Sequence, residues 1–254
     1  MSRYNWRLRS ISIIIPAYNE ARRLPGTLRR VLDWLGQQEF SFCEILVVDD
    51  GSRDETASLA EDLARAHPVV RVLKNPGNRG KGYAVRHGML EARGAWVLFT
   101  DADLSTPIEE VKTLYCRARE GKAAIAIGSR ALDPSLVEVH QAALREWSGK
   151  IFNFAMRAIT GLQFRDTQCG FKLFERGAAR QVFSRQKLDG FSFDVEALFI
   201  ARRLSLPVVE VPVRWRNVEG TKVGALNGVQ SFTDLLRIRW NGAKRIYGAA
   251  ADAE

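Results

Sequence analysis

The sequence predicts an α/β protein with a mostly parallel central sheet flanked by helices. Short apolar runs rich in β-branched residues, such as Ser12–Ile15 and Ile45–Val48, recur through the first half of the chain. These runs are continuous rather than alternating, which is typical of strands buried on both faces. Amphipathic stretches of helical period separate them. Strands that alternate with helices in this way form βαβ units.

The first half is predicted to contain five strands separated by four helices. The strands are expected at Ser12–Ile15, Ile45–Val48, Val70–Leu73, Trp96–Thr100 and Ala123–Ile127. The helices are expected at Glu20–Leu35, Thr56–Ala66, Tyr83–Ala92 and Ile108–Glu120. The second helix is expected to begin from a capping box, because Glu55 follows Ser52 at the required spacing.

The second half is less regular. Helices are expected at Gln141–Thr160, Val195–Arg203 and Val229–Tyr247, and strands at Gln168–Phe174 and Val208–Trp215. The last strand is assigned to a sheet edge, since Pro212 has no N–H to donate to a neighbouring strand. Because the sequence contains neither an internal repeat nor a linker, residues 1–254 are predicted to form one domain.

Composition limits the classes of protein to consider. Of the 254 residues, 46% are apolar and 26% are charged, which provides a sizeable core and excludes wholesale disorder. The formal net charge of +9 indicates anionic partners such as phosphorylated molecules, nucleic acid or an acidic membrane surface. The longest uncharged stretch, Val223–Thr233, is too short to span a bilayer. The three cysteines are widely spaced, which argues against a zinc site and fits a reducing compartment.

Polar residues follow the first two predicted strands, where ligands bind in open α/β sheets. The first strand leads into Pro16, Ala17, Tyr18, Asn19 and Glu20, which offer an aromatic ring and a carboxylate to a base and a ribose. The competing interpretation is a helix start with Asn19 as its cap.

The second strand ends at Asp49 and Asp50, beside a glycine. Turn chemistry explains one aspartate well. Two adjacent aspartates repel each other, so a carboxylate that binds a base N–H and a ribose hydroxyl explains the pair better.

A candidate metal site follows the fourth strand. Asp101 and Asp103 flank Ala102, and residues two apart in an extended chain project to the same side. Two carboxylates that leave positions open for phosphate oxygens and water suit Mg²⁺ or Mn²⁺. The sequence therefore predicts Mg²⁺ or Mn²⁺ as the cofactor.

Two glycines flank Lys81 at the start of the third helix. Backbone N–H groups and an ammonium group at a helix start favour an anion. The alternative is a flexible turn with a solvated lysine, since the spacing matches neither a P-loop nor a dinucleotide-binding motif.

Taken together, these motifs resemble the family-2 glycosyltransferases, and most closely the dolichyl- or polyprenyl-phosphate β-glucosyltransferases. The segments that carry the resemblance are Pro16–Glu20, Asp49–Thr56, Asn78–Val85, Ala92–Gly94, Asp101–Asp103, Gly128–Arg130, Asp166–Phe174, Phe193–Glu196 and Gly220–Lys222. The resemblance implies a nucleotide-sugar-binding domain of the GT-A type. Its nucleotide-sugar half would span about residues 10–130 and its acceptor half about residues 131–248.

The resemblance also implies the reaction, a metal-dependent inverting transfer of glucose from UDP-glucose to a polyprenyl phosphate. The implied donor-binding residues are Pro16, Ala17, Tyr18, Glu20, Asp50, Lys81, Asp101, Ala102 and Lys222. The implied catalytic residues are Asp103, Arg130 and Arg145, with both arginines pairing with the acceptor phosphate. The implied acceptor region comprises Arg130, Arg145, Gln168 and Asp194.

Several alternatives stay open at this point. Ser105 stands where mannosyl relatives often carry an amide ligand, and GDP-mannose is the alternative donor. The acceptor could be a molecule other than a lipid, or the chain could bind nucleotide sugars without turnover. Asp194 is either a helix cap or a general base. No nucleic-acid-binding motif is present, and acids cluster where a ligand should bind, so nucleic acid is not an expected partner.

The membrane is an expected partner through the last helix. Phe232, Leu235, Leu236, Trp240 and Ile246 are interleaved with the basic residues Arg237, Arg239, Lys244 and Arg245. Such a helix can lie on anionic lipid. The expected localisation is cytoplasmic, peripheral on the cytoplasmic face of the membrane. The apolar cluster in the predicted helix Gln141–Thr160, which includes Phe152 and Phe154, is assigned to the core or to an acceptor groove.

Overall fold

The computed structural model describes residues 8–139, 143–218 and 225–248, and the side chains of residues 143–148, 150 and 225–229 lie outside this description. The central sheet consists of β1 (Ser10–Ala17), β2 (Phe42–Asp49), β3 (Val70–Lys74), β4 (Trp96–Thr100), β5 (Ile125–Ser129), β7 (Phe171–Glu175) and β8 (Val208–Pro212). Two further strands, β6 (Val137–Val139) and β9 (Trp215–Arg216), form a small separate sheet.

Helices connect and cover these strands. They are α1 (Leu24–Gly36), α2 (Thr56–Ala66), α3 (Lys81–Glu91), α4 (Glu110–Glu120), α5 (Ala143–Thr160), α6 (Arg176–Phe183), α7 (Phe193–Arg203) and α8 (Ala225–Ala243). Among the described residues, none of these helices combines the length and the hydropathy that crossing a membrane requires.

The strand order is β3-β2-β1-β4-β7-β5-β8, and every neighbouring pair is parallel except those that involve β7. Apolar side chains cover both faces of this sheet, which explains the continuous apolar runs of its strands. On one face, residues such as Ile14 and Phe99 pack with α3, α5, α6 and α7. On the other face, residues such as Ile13 and Leu98 pack with α1 and α4. The predicted fold class is confirmed.

The start of α2 differs from the predicted capping box. The Ser52 hydroxyl accepts a hydrogen bond from the Asn19 N–H instead, at 3.0 Å. The Thr56 N–H donates to the Asp54 carboxylate, at 3.0 Å. Asn19 caps no helix, because its side chain accepts a hydrogen bond from the Arg53 N–H and α1 begins only at Leu24. These bonds join the loops that follow β1 and β2.

The second half departs further from the predictions. The strand predicted at Gln168–Phe174 begins at Phe171, runs antiparallel to both its neighbours and leads directly into α6, a helix that the sequence pattern did not predict. The edge position of β8 is confirmed, but the strand ends at Pro212, and Trp215 belongs to the small sheet.

The last helix ends at Ala243 rather than at Tyr247. Tyr247 is fully buried, and its hydroxyl donates to Glu196 at 2.6 Å. The end of the predicted lipid-facing helix is therefore part of the core.

The direction of β7 brings its first residues to the edge of the sheet where β1, β2 and β4 end. Thr100 lies opposite Phe171 in the ladder. The loop that precedes β7 therefore lies beside the loop that follows β4. One edge of the sheet thus collects the predicted site residues from both halves of the chain.

Candidate functional site

A cavity of about 620 Å³ lies at this edge of the sheet. It brings together twelve of the residues that the sequence assigned to the site. They are Pro16, Ala17, Tyr18, Glu20, Asp50, Lys81, Asp101, Ala102, Asp103, Arg130, Gln168 and Asp194. The two others cannot be placed: Lys222 and the side chain of Arg145 lie outside the described part of the chain.

Asp101 is held in place by the loop that precedes β7. Its N–H donates to the Gly170 carbonyl at 3.1 Å. Its carboxylate lies directly over the Gly170 Cα, where any Cβ would overlap it. Its Oδ1 lies 2.7 Å from the Lys81 ammonium nitrogen. The first carboxylate of the predicted metal pair is therefore fixed in position and already paired with a cation.

Asp103 accepts a hydrogen bond from the Ser105 N–H at 2.9 Å. Burial raises the pKa of Asp103, and the negative charge of Asp101 raises it further. A cation between the two carboxylates would relieve this repulsion. Ser105 also lines the cavity, so a hydroxyl stands where the mannosyl relatives place an amide.

This pair of carboxylates fits a divalent metal whose coordination is completed by a substrate. Within the described ranges, no three His, Cys, Asp or Glu side chains are arranged to hold a metal ion. Asp101 and Asp103 supply two hard oxygen donors at one cavity and leave other positions to diphosphate oxygens and water. The donor set is thus one that suits Mg²⁺ or Mn²⁺ bound together with a nucleotide.

The two aspartates at the end of β2 serve the loops around the cavity. The Asp50 carboxylate accepts hydrogen bonds from the Asn75 side chain at 2.7 Å and from the N–H groups of Arg79 and Gly80. Asp49 accepts from the Ser52 N–H. The turn interpretation therefore accounts for Asp49. Asp50 keeps at most one free lone-pair position for a ligand.

Part of the glycine–lysine loop already binds a carboxylate of the protein. The N–H groups of Arg79 and Gly80 donate to Asp50 and are not available to an external anion. Gly80 has a φ of 105°, and a Cβ on it would overlap the Asp189 carbonyl. Glycine is required here because the loop packs closely against residues of the second half.

Arg130 is held by a carboxylate as well. Its Nε and Nη2 donate to Asp166 at 2.6 and 2.8 Å, and its guanidinium lies 5.4 Å from the Trp215 ring centroid. Burial would lower the pKa of Arg130, but Asp166 more than offsets this and raises it. Nε and Nη2 of the guanidinium are thus bonded to Asp166, and Nη1 is the nitrogen that can donate to a ligand in the cavity.

Asp194 caps no helix. Its Oδ1 accepts a hydrogen bond from the ammonium group of Lys172 at 2.5 Å. Lys172 is almost fully buried on β7 and also donates to the Cys169 carbonyl. Burial raises the pKa of Asp194 against the attraction of Lys172 and Lys81. The carboxylate therefore contributes a buried negative charge to the cavity wall.

The mouth of the cavity is apolar. Phe152 on α5 and Phe232 on α8 line it, and their ring centroids lie 5.6 Å apart. Beyond them, the exposed fractions of Phe154, Leu236 and Trp240 are 76%, 61% and 62%. Of the predicted α5 cluster, Phe152 therefore belongs to both core and groove, whereas Phe154 faces solvent.

The structure adds cavity residues that the sequence did not single out. Arg23 binds Glu20 through two hydrogen bonds, and Trp215 and Asn217 lie on the far wall. The spacing of Glu20 and Arg23 by three residues was a usable signal for the first pair. Trp215 carried no such signal, because it reaches the cavity through a small sheet that the pattern did not indicate.

Comparisons with known proteins agree on the family. Residues 12–183 match the family model described as "Glycosyl transferase family 2". The dolichyl-phosphate beta-glucosyltransferase of Drosophila melanogaster is 41% identical over 84% of this chain and 69% of its own length. The enzyme of the same name from Homo sapiens is 36% identical over 91% of this chain and 75% of its own length.

Solved structures agree on the fold. A mannosyl-3-phosphoglycerate synthase from Rubrobacter xylanophilus has a TM-score of 0.67 at 17% identity, covering 93% of this chain and 74% of its own. The glucosyl-3-phosphoglycerate synthase of Mycobacterium tuberculosis in complex with UDP has a TM-score of 0.65 at 19% identity, covering 94% of this chain and 87% of its own. At these identities, structural similarity shows a shared fold and does not show a shared function. By the family model and by these relatives, the chain belongs to glycosyltransferase family 2.

Proposed function

We propose that the protein transfers glucose from UDP-glucose to a polyprenyl phosphate of the dolichyl type, in a metal-dependent reaction that inverts the anomeric carbon. The relatives' names support the sugar and the acceptor. The observation that carries the proposal is the cavity itself. It joins two carboxylates and a basic side chain at its floor to an apolar mouth on the protein surface.

The donor occupies the part of the cavity formed by the ends of β1, β2 and β4. Tyr18 and Asp50 contact the uracil and the ribose, and Pro16, Ala17 and Ala102 form the wall around them. Glu20 is fixed by Arg23 and orients the phosphate region. Lys81 and Lys222 approach the phosphates, and the part of Lys222 stays a prediction from the family motif.

Asp101 and Asp103 hold Mg²⁺ or Mn²⁺, which supplies positive charge to the diphosphate leaving group. Asp103 differs from Asp101 in its described partner, which is a backbone N–H rather than an ammonium group. Its carboxylate is thus the freer of the two to take a metal.

The chemical step is a single displacement. An oxygen of the acceptor phosphate attacks the anomeric carbon, the bond from that carbon to the diphosphate oxygen breaks, and UDP leaves. The α-linked donor becomes a β-linked lipid-phosphate sugar. Because a phosphate monoester is already anionic at neutral pH, no group has to remove a proton, and positioning with charge compensation suffices.

Arg130 and Arg145 position the acceptor phosphate, and Gln168 also lines the cavity. An arginine pairs well with phosphate oxygens because its donors lie in one plane. Asp194 is not needed as a base in this reaction. Its described contact assigns it to holding Lys172 and to keeping negative charge near Lys81.

The lipid reaches this site from the membrane surface. Exposed apolar side chains lie on α5 and α8, the helices that also carry the cavity-lining Phe152 and Phe232, and Arg237, Arg239 and Lys244 are exposed on or just after α8. This mixed face is suited to lie on anionic lipid on the cytoplasmic side, with the cavity mouth toward the bilayer.

A donor and acceptor screen tests the proposal. Radiolabelled UDP-glucose and GDP-mannose are each offered with dolichyl phosphate in vesicles and Mg²⁺ or Mn²⁺, and label is followed into organic-extractable lipid. We expect transfer from UDP-glucose alone, and its loss with a metal chelator. Transfer from GDP-mannose would reassign the donor. Phosphoglycerate serves as the soluble acceptor, because solved neighbours of this fold are named for it, and its use in preference to lipid would overturn the acceptor.

A further inference from the structure

Lys81 occupies the carboxylate that a metal ion needs. Its ammonium nitrogen lies 2.7 Å from Asp101 Oδ1, and both side chains are largely shielded from solvent, with 24% and 32% of their surface exposed. Asp101 is one of the two carboxylates assigned above to the metal. A cation and an ammonium group at the same oxygen repel each other strongly at such distances. This repulsion therefore favours separation of Lys81 from Asp101 when a metal binds.

Asp101 is the more restrained of the two partners. Its N–H is bonded to the Gly170 carbonyl, and its carboxylate rests against the Gly170 Cα without space for a Cβ. Lys81 carries its charge on a flexible stem of four carbons, with three rotatable donors. Displacement of the lysine is therefore the less costly way to free Asp101 for a metal.

The surroundings keep Lys81 close to the cavity after displacement. A second carboxylate, Asp194, lines the same cavity and is a nearby negative charge for the displaced ammonium group. The Lys81 ammonium nitrogen also lies 5.5 Å from the Phe99 ring centroid, within the range of a cation–π contact. Because Lys81 lines the cavity, a diphosphate there is an anion to which it can turn.

We propose that Lys81 is a built-in counter-ion that competes with the divalent metal for Asp101 and passes to the donor diphosphate when metal and nucleotide bind together. This inference rests on the metal site of the proposed function. It makes metal binding to the protein alone weak and couples it to the nucleotide. The lysine charge is thus used twice, first to neutralise Asp101 and then to neutralise the donor.

Mn²⁺ binding in the absence of turnover tests this inference. Calorimetry or electron paramagnetic resonance measures Mn²⁺ affinity of wild type and of Lys81→Met, first without nucleotide and then with UDP. Without nucleotide, we expect Lys81→Met to bind Mn²⁺ about tenfold more tightly or better, since it removes a unit charge a few ångströms away. With UDP present, we expect Lys81→Met to bind Mn²⁺ more weakly than wild type does, because the variant lacks the ammonium group that would pair with the diphosphate.

Two variants control for general charge and for folding. Arg86→Met removes one positive charge from the same helix, where Arg86 pairs with Asp189 and neither residue lines the cavity. We expect its Mn²⁺ affinity to match that of wild type. Lys81→Arg keeps the charge and should keep metal binding weak. Thermal melts confirm that each variant is folded, and Lys81→Gln replaces Lys81→Met if the latter is not.

The outcomes separate this inference from the proposed function. Equal Mn²⁺ affinity in wild type, Arg86→Met and Lys81→Met would overturn the counter-ion role and leave the metal site standing. An increase in Mn²⁺ affinity in Arg86→Met as large as that in Lys81→Met would also overturn it, because the effect would then follow from the overall charge of the protein. Absence of Mn²⁺ binding in all variants, with or without UDP, would overturn the metal site and the inference with it.

Discussion

The floor and the mouth of the cavity differ in how their side chains are partnered. At the floor, charges are paired within the protein: Asp101 with Lys81, Arg130 with Asp166, and Asp194 with Lys172. On α5 and α8, the helices that supply Phe152 and Phe232 to the mouth, Phe154, Leu236 and Trp240 expose most of their surface to solvent. The floor is an electrostatic site built before any ligand arrives. Under the proposed function, the apolar side chains of α5 and α8 are covered only when the protein lies on lipid.

This difference predicts which property a substitution in each region should change. Changes at the floor should alter chemistry or the stability of the fold, because paired buried charges are costly to leave half-paired. Changes at the mouth should leave both nearly intact and should weaken attachment to lipid. The following variants test that division, from the largest expected effect to the smallest.

Asp103→Asn should reduce transfer by about 1000-fold or more, since stabilising the charge on a leaving group is one of the strongest contributions to catalysis. The fold should survive, because Asn keeps the shape and an oxygen that can accept the Ser105 N–H. Transfer rate, Mn²⁺-dependent UDP binding and the melting temperature are measured together. Near-normal transfer in a stable variant would exclude Asp103 from the metal site.

Lys172→Met should lower the free energy of unfolding by about 3–5 kcal/mol, the usual cost of removing one partner of a buried ion pair. The cost arises because Asp194 is left buried without the ammonium group that Lys172 donates to it. Denaturant unfolding measures it. The double variant Lys172→Met with Asp194→Asn should recover part of the loss. An additive loss in the double variant would mean that the two side chains act independently.

Asp166→Asn should cost about 1.5–3 kcal/mol near neutral pH, the range for hydrogen bonds to charged groups. Burial would raise the pKa of Asp166, but Arg130 outweighs it and holds that pKa below its usual value. The stabilisation is therefore complete above the ordinary aspartate pKa and is lost as pH falls through the lower folded value. Melting temperatures of variant and wild type should converge in acid. A constant difference would assign the effect to packing.

At the mouth, Leu236→Gln together with Trp240→Gln should weaken binding to vesicles by about 1 kcal/mol for each side chain, at any salt concentration. Replacing Arg237 and Arg239 with glutamine should weaken binding by about 1 kcal/mol for each charge, at low salt only. Vesicle sedimentation over a salt series distinguishes the two pairs. Transfer to a short water-soluble acceptor should be unchanged in both variants. Unchanged vesicle binding in both would place the lipid contact elsewhere.

The floor could be predicted in large part because its residues are local to strand ends. Asp101 and Asp103 follow a strand whose apolar run is unambiguous, and their spacing alone indicates a shared ligand. The partners of these residues could not be predicted in the same way. Lys172 and Asp194 are 22 residues apart, and nothing in either segment indicates that they meet.

The direction of β7 could not be predicted for a different reason. An apolar run predicts a buried strand, but it carries no information on which way the strand runs between its neighbours. The end of α8 was misplaced because Tyr247 is polar enough to suit a surface helix. Its burial depends on a hydrogen bond to Glu196, far away in sequence.

The position of β7 also sets the order in which the enzyme can become active during synthesis. The chain passes from β4 to β5 and leaves a gap between them that residues 171–175 fill later. Until then, two strand edges are open to pairing with other chains. Asp101 also lacks the Gly170 backbone on which it rests. A nascent or truncated chain that ends before β7 therefore has the strand-end residues proposed to bind the nucleotide but lacks the support of the proposed metal site, and we expect catalysis only once the sheet is closed.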